Sequence, residues 1–322
     1  MKFKQTLAAS VVFAATLAAG AAFAEDKLIV AIYKSGTQQY FIDQGAGFTK
    51  AAEELGYKAQ IINVEMDANL AISAVSDAIA AGAKAIAITA PDQAIGAAVA
   101  KAAADAGIPL IATDDPLKDG AGADVPFAGF DGVAMGTKVG DRAGELASAA
   151  GWLSDPNLGI LTVGVPTLSV CVDRTSAEKA RLIAAGAKEE NFIDVDYDGT
   201  TDAALTAAGP VITAHPAVDK WVVVSCNDEG VLGASNALKN AGVAPADVIA
   251  VGLGAYEACR PWKEGIESGF KAALYISGVD VGDAAARALI NAVEKGTPLP
   301  AKTVANTTIV DPATYTDIMP CP

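Results

Sequence analysis

The sequence predicts an α/β protein built as two doubly wound parallel-sheet lobes. Short β-branched runs alternate with Ala-rich stretches of helical period, the runs are apolar on both sides, and the whole rhythm starts twice. A strand covered on both faces reads as a continuous apolar run. Strand–helix–strand repetition with short loops gives right-handed crossovers and parallel pairing.

In the first series "LIVAIY" (28–33) is followed by a helix expected from about Tyr40 to Leu55. "AQIINV" (59–64) is followed by one from about Asn69 to Ala81. "AIAIT" (85–89) precedes a helix starting near Asp92, and "PLIAT" (109–113) follows it. The second series is "LGILTV", "FIDVDY", "WVVVSC" and "VIAVGL", each with a helical stretch behind it. Between them, "KDGAGADVPFAG" (118–129) is rich in Gly and Asp and is a candidate crossing segment.

Of the 322 residues, the first 24 read as an address rather than as fold: two lysines, an apolar run, then "AFA" before "EDKL". That is the pattern of a secretory signal cut after Ala24, so the expectation is an exported, periplasmic chain. Cleavage removes Lys2 and Lys4 and no acids, taking the formal charge from −15 to −17. Such a surface argues against nucleic acid and anionic lipid as partners. Cys171, Cys226, Cys259 and Cys321 lack zinc spacing; one disulfide fits an oxidising compartment, with three full pairings open. His215 reads as a solvated loop residue.

In doubly wound sheets ligands bind beyond the carboxyl ends of the strands. Those ends carry Lys34, Gln38, Tyr40, Asp114, Asp115, Arg174, Asn227 and Asp228. No G-x-x-x-x-G-K-[ST] or G-x-S-x-G occurs, and one histidine is badly placed for a triad. "GLGAYE" (252–257) lacks the third glycine of a dinucleotide loop. Adjacent aspartates point in different directions, which suits neither glycoside hydrolysis nor a metal site. No cofactor and no metal are expected. Carboxylates, a lysine, an arginine, an asparagine and an aromatic face do suit a sugar, whose hydroxyls donate and accept around an apolar ring face. The plainer roles are caps: Asp114 or Asp115 before Pro116, Asp228 at a helix start, and Asp92 and Asp173 likewise. Lys34, directly behind an apolar strand, needs partners.

The residues carry a likeness to a family. "APDQAIGAAVAKA", "IATDDPL", "TKVGDRAGE", "DRTSAEKARLIAAGA" and "HPAVDKWVVVSCNDEGVLGA", in that order within residues 27 to 318, resemble the periplasmic sugar-binding proteins of ABC importers, most closely the arabinose-binding branch. The resemblance implies the type I periplasmic binding protein fold, two lobes joined by a three-segment hinge. It implies sugar contacts at Lys34, Asp114, Asp115, Arg174 and Asn227, stacking at Tyr40 in place of tryptophan, an apolar wall at Leu168, and Cys226 in place of a wall methionine. Two departures stand out: Gln38 replaces a glutamate and Gly254 an asparagine that reads a hydroxyl, a gap that Glu257 or a water can fill.

The expectation is a monomeric, non-enzymatic receptor for an arabinose-, galactose- or fucose-type aldose that serves a membrane ABC permease. A sugar-sensing chemoreceptor partner is the alternative, a secreted hydrolase a weaker one, and a repressor lacks its DNA-binding head. Expected boundaries are residues 25–130 and 277–305 for the first lobe, 131–276 and 306–322 for the second.

Overall fold

The computed structural model describes residues 27–321. The expected export signal and its cut after Ala24 lie outside the described residues. The first lobe runs β1 (Leu28–Tyr33), α1 (Gln39–Glu54), β2 (Lys58–Asn63), α2 (Ala68–Ala80), β3 (Ala85–Ile88), α3 (Gly96–Ala106), β4 (Leu110–Thr113) and β5 (Phe127–Gly129). The chain then crosses over to α4 (Gly132–Ala149), β6 (Leu158–Gly164), α5 (Ser169–Ala185), β7 (Phe192–Asp196) and α6 (Thr201–Thr213). The second lobe continues with β8 (Lys220–Ser225), α7 (Asp228–Asn240), β9 (Val248–Gly254), α8 (Tyr256–Glu264) and β10 (Phe270–Ile276). α9 (Gly278–Lys295) packs back on α1, β11 (Lys302–Val304) joins the first sheet, and β12 (Thr307–Val310) joins the second.

The sheet orders are β2-β1-β3-β4-β5-β11 and β7-β6-β8-β9-β10-β12. All pairs are parallel except β10 with β12, so the second sheet carries one antiparallel edge that the apolar runs did not announce. Alternate residues of β1 serve two cores: Ile29, Ala31 and Tyr33 face α1 and α9, and Val30 and Ile32 face α2 and α3. The edge strand β2, covered less, alternates between exposed and half-buried residues.

Two expectations change here. The Gly/Asp-rich stretch 118–129 is not a crossing: Lys118 bridges back to Asp124, and Phe127–Gly129 pairs with β4 in the first sheet. The chain crosses just beyond it, at Phe130–Asp131, and again at Ser277 and Ala305–Asn306. The third helix starts at Gly96, and Asp92 caps a short 3-10 turn, Gln93–Ile95, ahead of it.

Each lobe pairs a helix that faces the cleft with one that arrives across the hinge: α1 with α9, and α5 with α4. The pairs are alike in detail. A Cβ on Gly282 of α9 would lie 2.0 Å from the carbonyl oxygen of Gln44, and one on Gly136 of α4 would lie 2.1 Å from that of Arg174. Both helix pairs approach this closely because glycine has no side chain to hold them apart. Counted from each helix's first residue, Tyr40, Phe41, Gln44 and Phe48 match Val170, Cys171, Arg174 and Glu178.

Candidate functional site

The carboxyl ends of both sheets face one cavity of about 440 Å³, lined by residues of both lobes. Lys34 leaves β1 and reaches Asp115 Oδ2 at 2.5 Å and Asp114 Oδ2 at 3.6 Å. Asp114 lies in the left-handed region (φ 58°), so the two neighbouring carboxylates turn toward the same ammonium group. This corrects the expectation that strand geometry would aim them apart, and neither side chain caps the turn before Pro116. Left-handed backbone on a non-glycine residue costs about 1 kcal/mol and persists only where its surroundings hold it.

Arg174 completes the chain of charges. Its Nη2 lies 3.4 Å from Asp114 Oδ1 across the cleft, and its Nη1 donates to the Cys226 carbonyl at 2.9 Å. Two cations and two carboxylates alternate from one lobe to the other, all buried or nearly so. Burial pushes the Asp115 carboxyl up against the opposing pull of Lys34. Burial also works against the Lys34 charge, but Asp115 and Asp114 outweigh it and hold its pKa above the usual lysine value. Among the cavity-lining residues the Tyr40 hydroxyl, Arg174 Nε and Asp228 Oδ1 are buried without a protein partner; Asp115, fully buried and outside the lining, leaves its Oδ1 unpartnered as well. Buried polar groups are nearly always paired, so the lining atoms mark where a hydroxylated molecule fits.

Tyr40 packs edge-on to Phe41 at 5.0 Å and lies 6.2 Å from Phe130 and 6.3 Å from Tyr256 between ring centroids. Gln38 Nε2 donates across the cleft to the Gly199 carbonyl at 3.3 Å. Leu168 is buried at the start of α5. Gly254 ends β9 at φ 135°, where a side chain is strained and its Cβ would lie 3.2 Å from Asp228 Oδ2.

Asn227, not Asp228, caps α7: its Oδ1 accepts from Gly230 N at 2.9 Å and from the Tyr197 hydroxyl, and its Nδ2 donates to the Gly199 carbonyl. Asp228, one residue on, is buried beside Gly254 and accepts from Glu257 N at 3.1 Å. Burial pushes its carboxyl up to about 7 and that of Glu229 up to about 8. Asp173 lies inside α5 and caps nothing. Cys226 is disulfide-bonded to Cys171, and Cys259 to Cys321, so two bridges form where one was expected.

Sequence reasoning missed Cys171, Glu229, Tyr256 and Ile276 as lining residues. Glu229 was within reach, since it follows Asn227 at the same strand end. Tyr256 was too, two residues beyond Gly254 in "GLGAYE"; Ile276 was not, because it ends β10 just before the hinge crossing at Ser277. Another contact between lobes was also silent: Gln93 donates to Ser169 Oγ at 2.7 Å and accepts from Ser169 N at 2.7 Å. It closes the first turn of α5, which has no cap of its own.

A family model described as the periplasmic binding protein domain matches residues 29–297. The ABC transporter L-arabinose-binding periplasmic protein of Azospirillum brasilense is 31% identical over 88% of this chain and 86% of its own length. The L-arabinose-binding periplasmic protein of Escherichia coli K12 is 27% identical over 85% and 83%. In fold, the Caulobacter myo-inositol binding protein bound to myo-inositol superposes with a TM-score of 0.76 at 22% identity, covering 91% of this chain and 96% of its own. An Agrobacterium radiobacter carbohydrate transporter solute binding protein in complex with D-arabinose gives 0.74 at 21% identity over the same shares. With the family model spanning both lobes and the first two crossings, the chain is a member of the periplasmic binding protein family, on the branch of ABC transporter sugar-binding proteins.

Proposed function

We propose that this chain captures a monosaccharide of the arabinose, galactose or fucose type between its lobes and delivers it, unchanged, to an ABC permease in the membrane. It works in the periplasm, as a monomer, with no cofactor or metal. One observation carries the proposal: the alternation Asp115–Lys34–Asp114–Arg174, in which each charge is met by a neighbour. An uncharged ligand can enter such a site without leaving a buried ion bare. Its hydroxyls find the unpartnered Tyr40 and Arg174 atoms in the cavity wall, and charge-assisted hydrogen bonds in a closed cleft are strong. The Tyr40 ring supplies an aromatic surface beside them. A cavity of about 440 Å³ lies in the range of small-molecule sites. Two arabinose-binding relatives support the sugar class.

Mechanistically, Arg174, Gln38 and Gln93 each join one lobe to the other, so their contacts exist only when the lobes meet. A sugar held by Lys34 and the aspartates adds contacts to the second lobe in that state alone, and binding shifts the hinge equilibrium. The permease then has a shape to recognise that reports occupancy. Titration calorimetry against L-arabinose, D-galactose and D-fucose tests the proposal, with recovery of the sugar checked by NMR. The expected result is one-to-one binding, intact sugar, and a smaller radius of gyration by small-angle scattering. Consumption of the sugar, or no binding by any of the three, overturns it.

A further inference from the structure

The second lobe's half of the cleft gathers around one covalent bond. Cys171, in the first turn of α5, and Cys226, just after β8, are disulfide-bonded with Cα atoms 4.9 Å apart. Both are buried in the cavity wall. Leu168 lies three residues before Cys171 and Arg174 three after it, one helical turn each way, and Asn227 follows Cys226 directly. The carbonyl that Arg174 holds at 2.9 Å is that of Cys226 itself. Cys226 N donates to the Val163 carbonyl, and Val165 N approaches Cys171 Sγ at 3.1 Å, so the β6–α5 loop is tied into the same knot.

This bond stands where the helix is weakest. Leu168 gives α5 no side-chain cap, and an absent cap leaves a helix start about 1 kcal/mol weaker. Gln93 closes that turn only from the other lobe, hence only when the lobes meet. With the lobes apart, the disulfide is what keeps the first turn of α5, and with it the Arg174 guanidinium, in register with the end of β8. The matching position on α1 is Phe41, which does the corresponding work by packing on Tyr33 and Tyr40 and under the Lys34 ammonium.

We infer that the Cys171–Cys226 disulfide is the positioning element of the second lobe's half-site, holding Arg174, Leu168 and Asn227 ready for the sugar before the lobes close. The inference rests on the sugar-binding reading above. The second bridge, Cys259–Cys321, ties α8 to the C-terminal segment away from the cavity lining and provides an internal control.

The test compares C171A/C226A, C171A/C226M and C259A/C321A by calorimetry with L-arabinose, D-galactose and D-fucose. Loss of preorganisation should weaken binding about 10- to 100-fold in C171A/C226A. C171A/C226M, which refills the wall without the bond, should stay weak, whereas C259A/C321A should bind like the wild type. Should C171A/C226A fail to fold, the C259A/C321A protein is reduced with dithiothreitol, which becomes its cyclic disulfide as the bridge opens to two thiols. The same loss, reversed on reoxidation and tracked by thiol titration, is expected. Wild-type affinity in the reduced protein, or full rescue by methionine, overturns the inference. NMR of the Arg174 side-chain N–H signals separates the two readings without sugar. Identical signals before and after reduction sink the positioning role, whereas a wild-type chain that binds none of the three sugars sinks the sugar reading.

Discussion

The two lobes solve one construction problem with different chemistry. In the first, α1 buries Gln44 and Phe48 toward its partner helix, and aromatic rings pack under Lys34. In the second, the matching turns of α5 carry Arg174 and Glu178, the latter fully buried with neither carboxyl oxygen partnered. Burial holds the Glu178 carboxyl well above the usual range, with Arg174 opposing. Both helices thus bury an unpartnered polar side chain, Gln44 in α1 and Glu178 in α5; the lobes differ in what anchors the first turn, aromatic packing in one and a disulfide with backbone contacts in the other. The lesson is that equal geometry does not require equal energetics. A site can be preorganised by apolar contact on one side and by covalent constraint on the other.

The comparison breaks most visibly at the charge chain. Asp115→Ala leaves Lys34 without its nearest partner, and stripping one member of a buried pair costs about 3–5 kcal/mol. Calorimetry should show sugar affinity falling by at least about a hundredfold, and Arg174→Ala should fall comparably. Wild-type affinity in either removes that residue from the site.

The matched helix positions come next. Phe48→Ala should destabilise the protein by about 3–5 kcal/mol in urea unfolding. Glu178→Leu should be neutral or stabilising, since replacing an unpartnered buried carboxyl by an apolar side chain removes a desolvation cost. If Glu178→Leu is the more damaging change, the contrast between the lobes is wrong.

A pH series sharpens it. The Asp228 pKa is raised from 3.8 to about 7 in the folded chain, so the native state binds its proton more tightly than the unfolded state does. That contribution to stability is complete below about pH 4 and is lost as pH rises through about 7, roughly 4 kcal/mol at most. Asp228→Asn should therefore be more stable relative to wild type at pH 7.5 than at pH 4.5. An unchanged difference between the two pH values would show that Asp228 does not titrate this way. The smallest effect is expected at Gln93→Ala, which removes two hydrogen bonds between lobes and should weaken sugar binding by several-fold, about 1 kcal/mol. It also removes the bond from Gln93 Nε2 to the Pro116 carbonyl within the first lobe.

Much of this was legible in the residues. Runs such as "LIVAIY" and "WVVVSC" announced buried parallel strands, and the strand ends located Lys34, Asp114, Asp115 and Arg174, which the fold joins in one chain of ion pairs. The antiparallel β12, the pairing of four cysteines and the capping role of Asn227 were not legible. Each depends on which distant segment a residue meets. The reversal at Asp114 was hidden for a related reason: φ at one residue is set by what surrounds the turn, and aspartate admits either sign.

By itself, then, the sequence determined the layered α/β architecture and the list of polar residues at the strand ends, because apolar periodicity and local turn chemistry are short-range properties. Only the tertiary structure decided that two adjacent carboxylates share one lysine, that Arg174 reaches across the cleft, and that Cys171 and Cys226 bind its helix to β8. Those contacts join residues some fifty to eighty positions apart, and chain folding in three dimensions alone sets such distances.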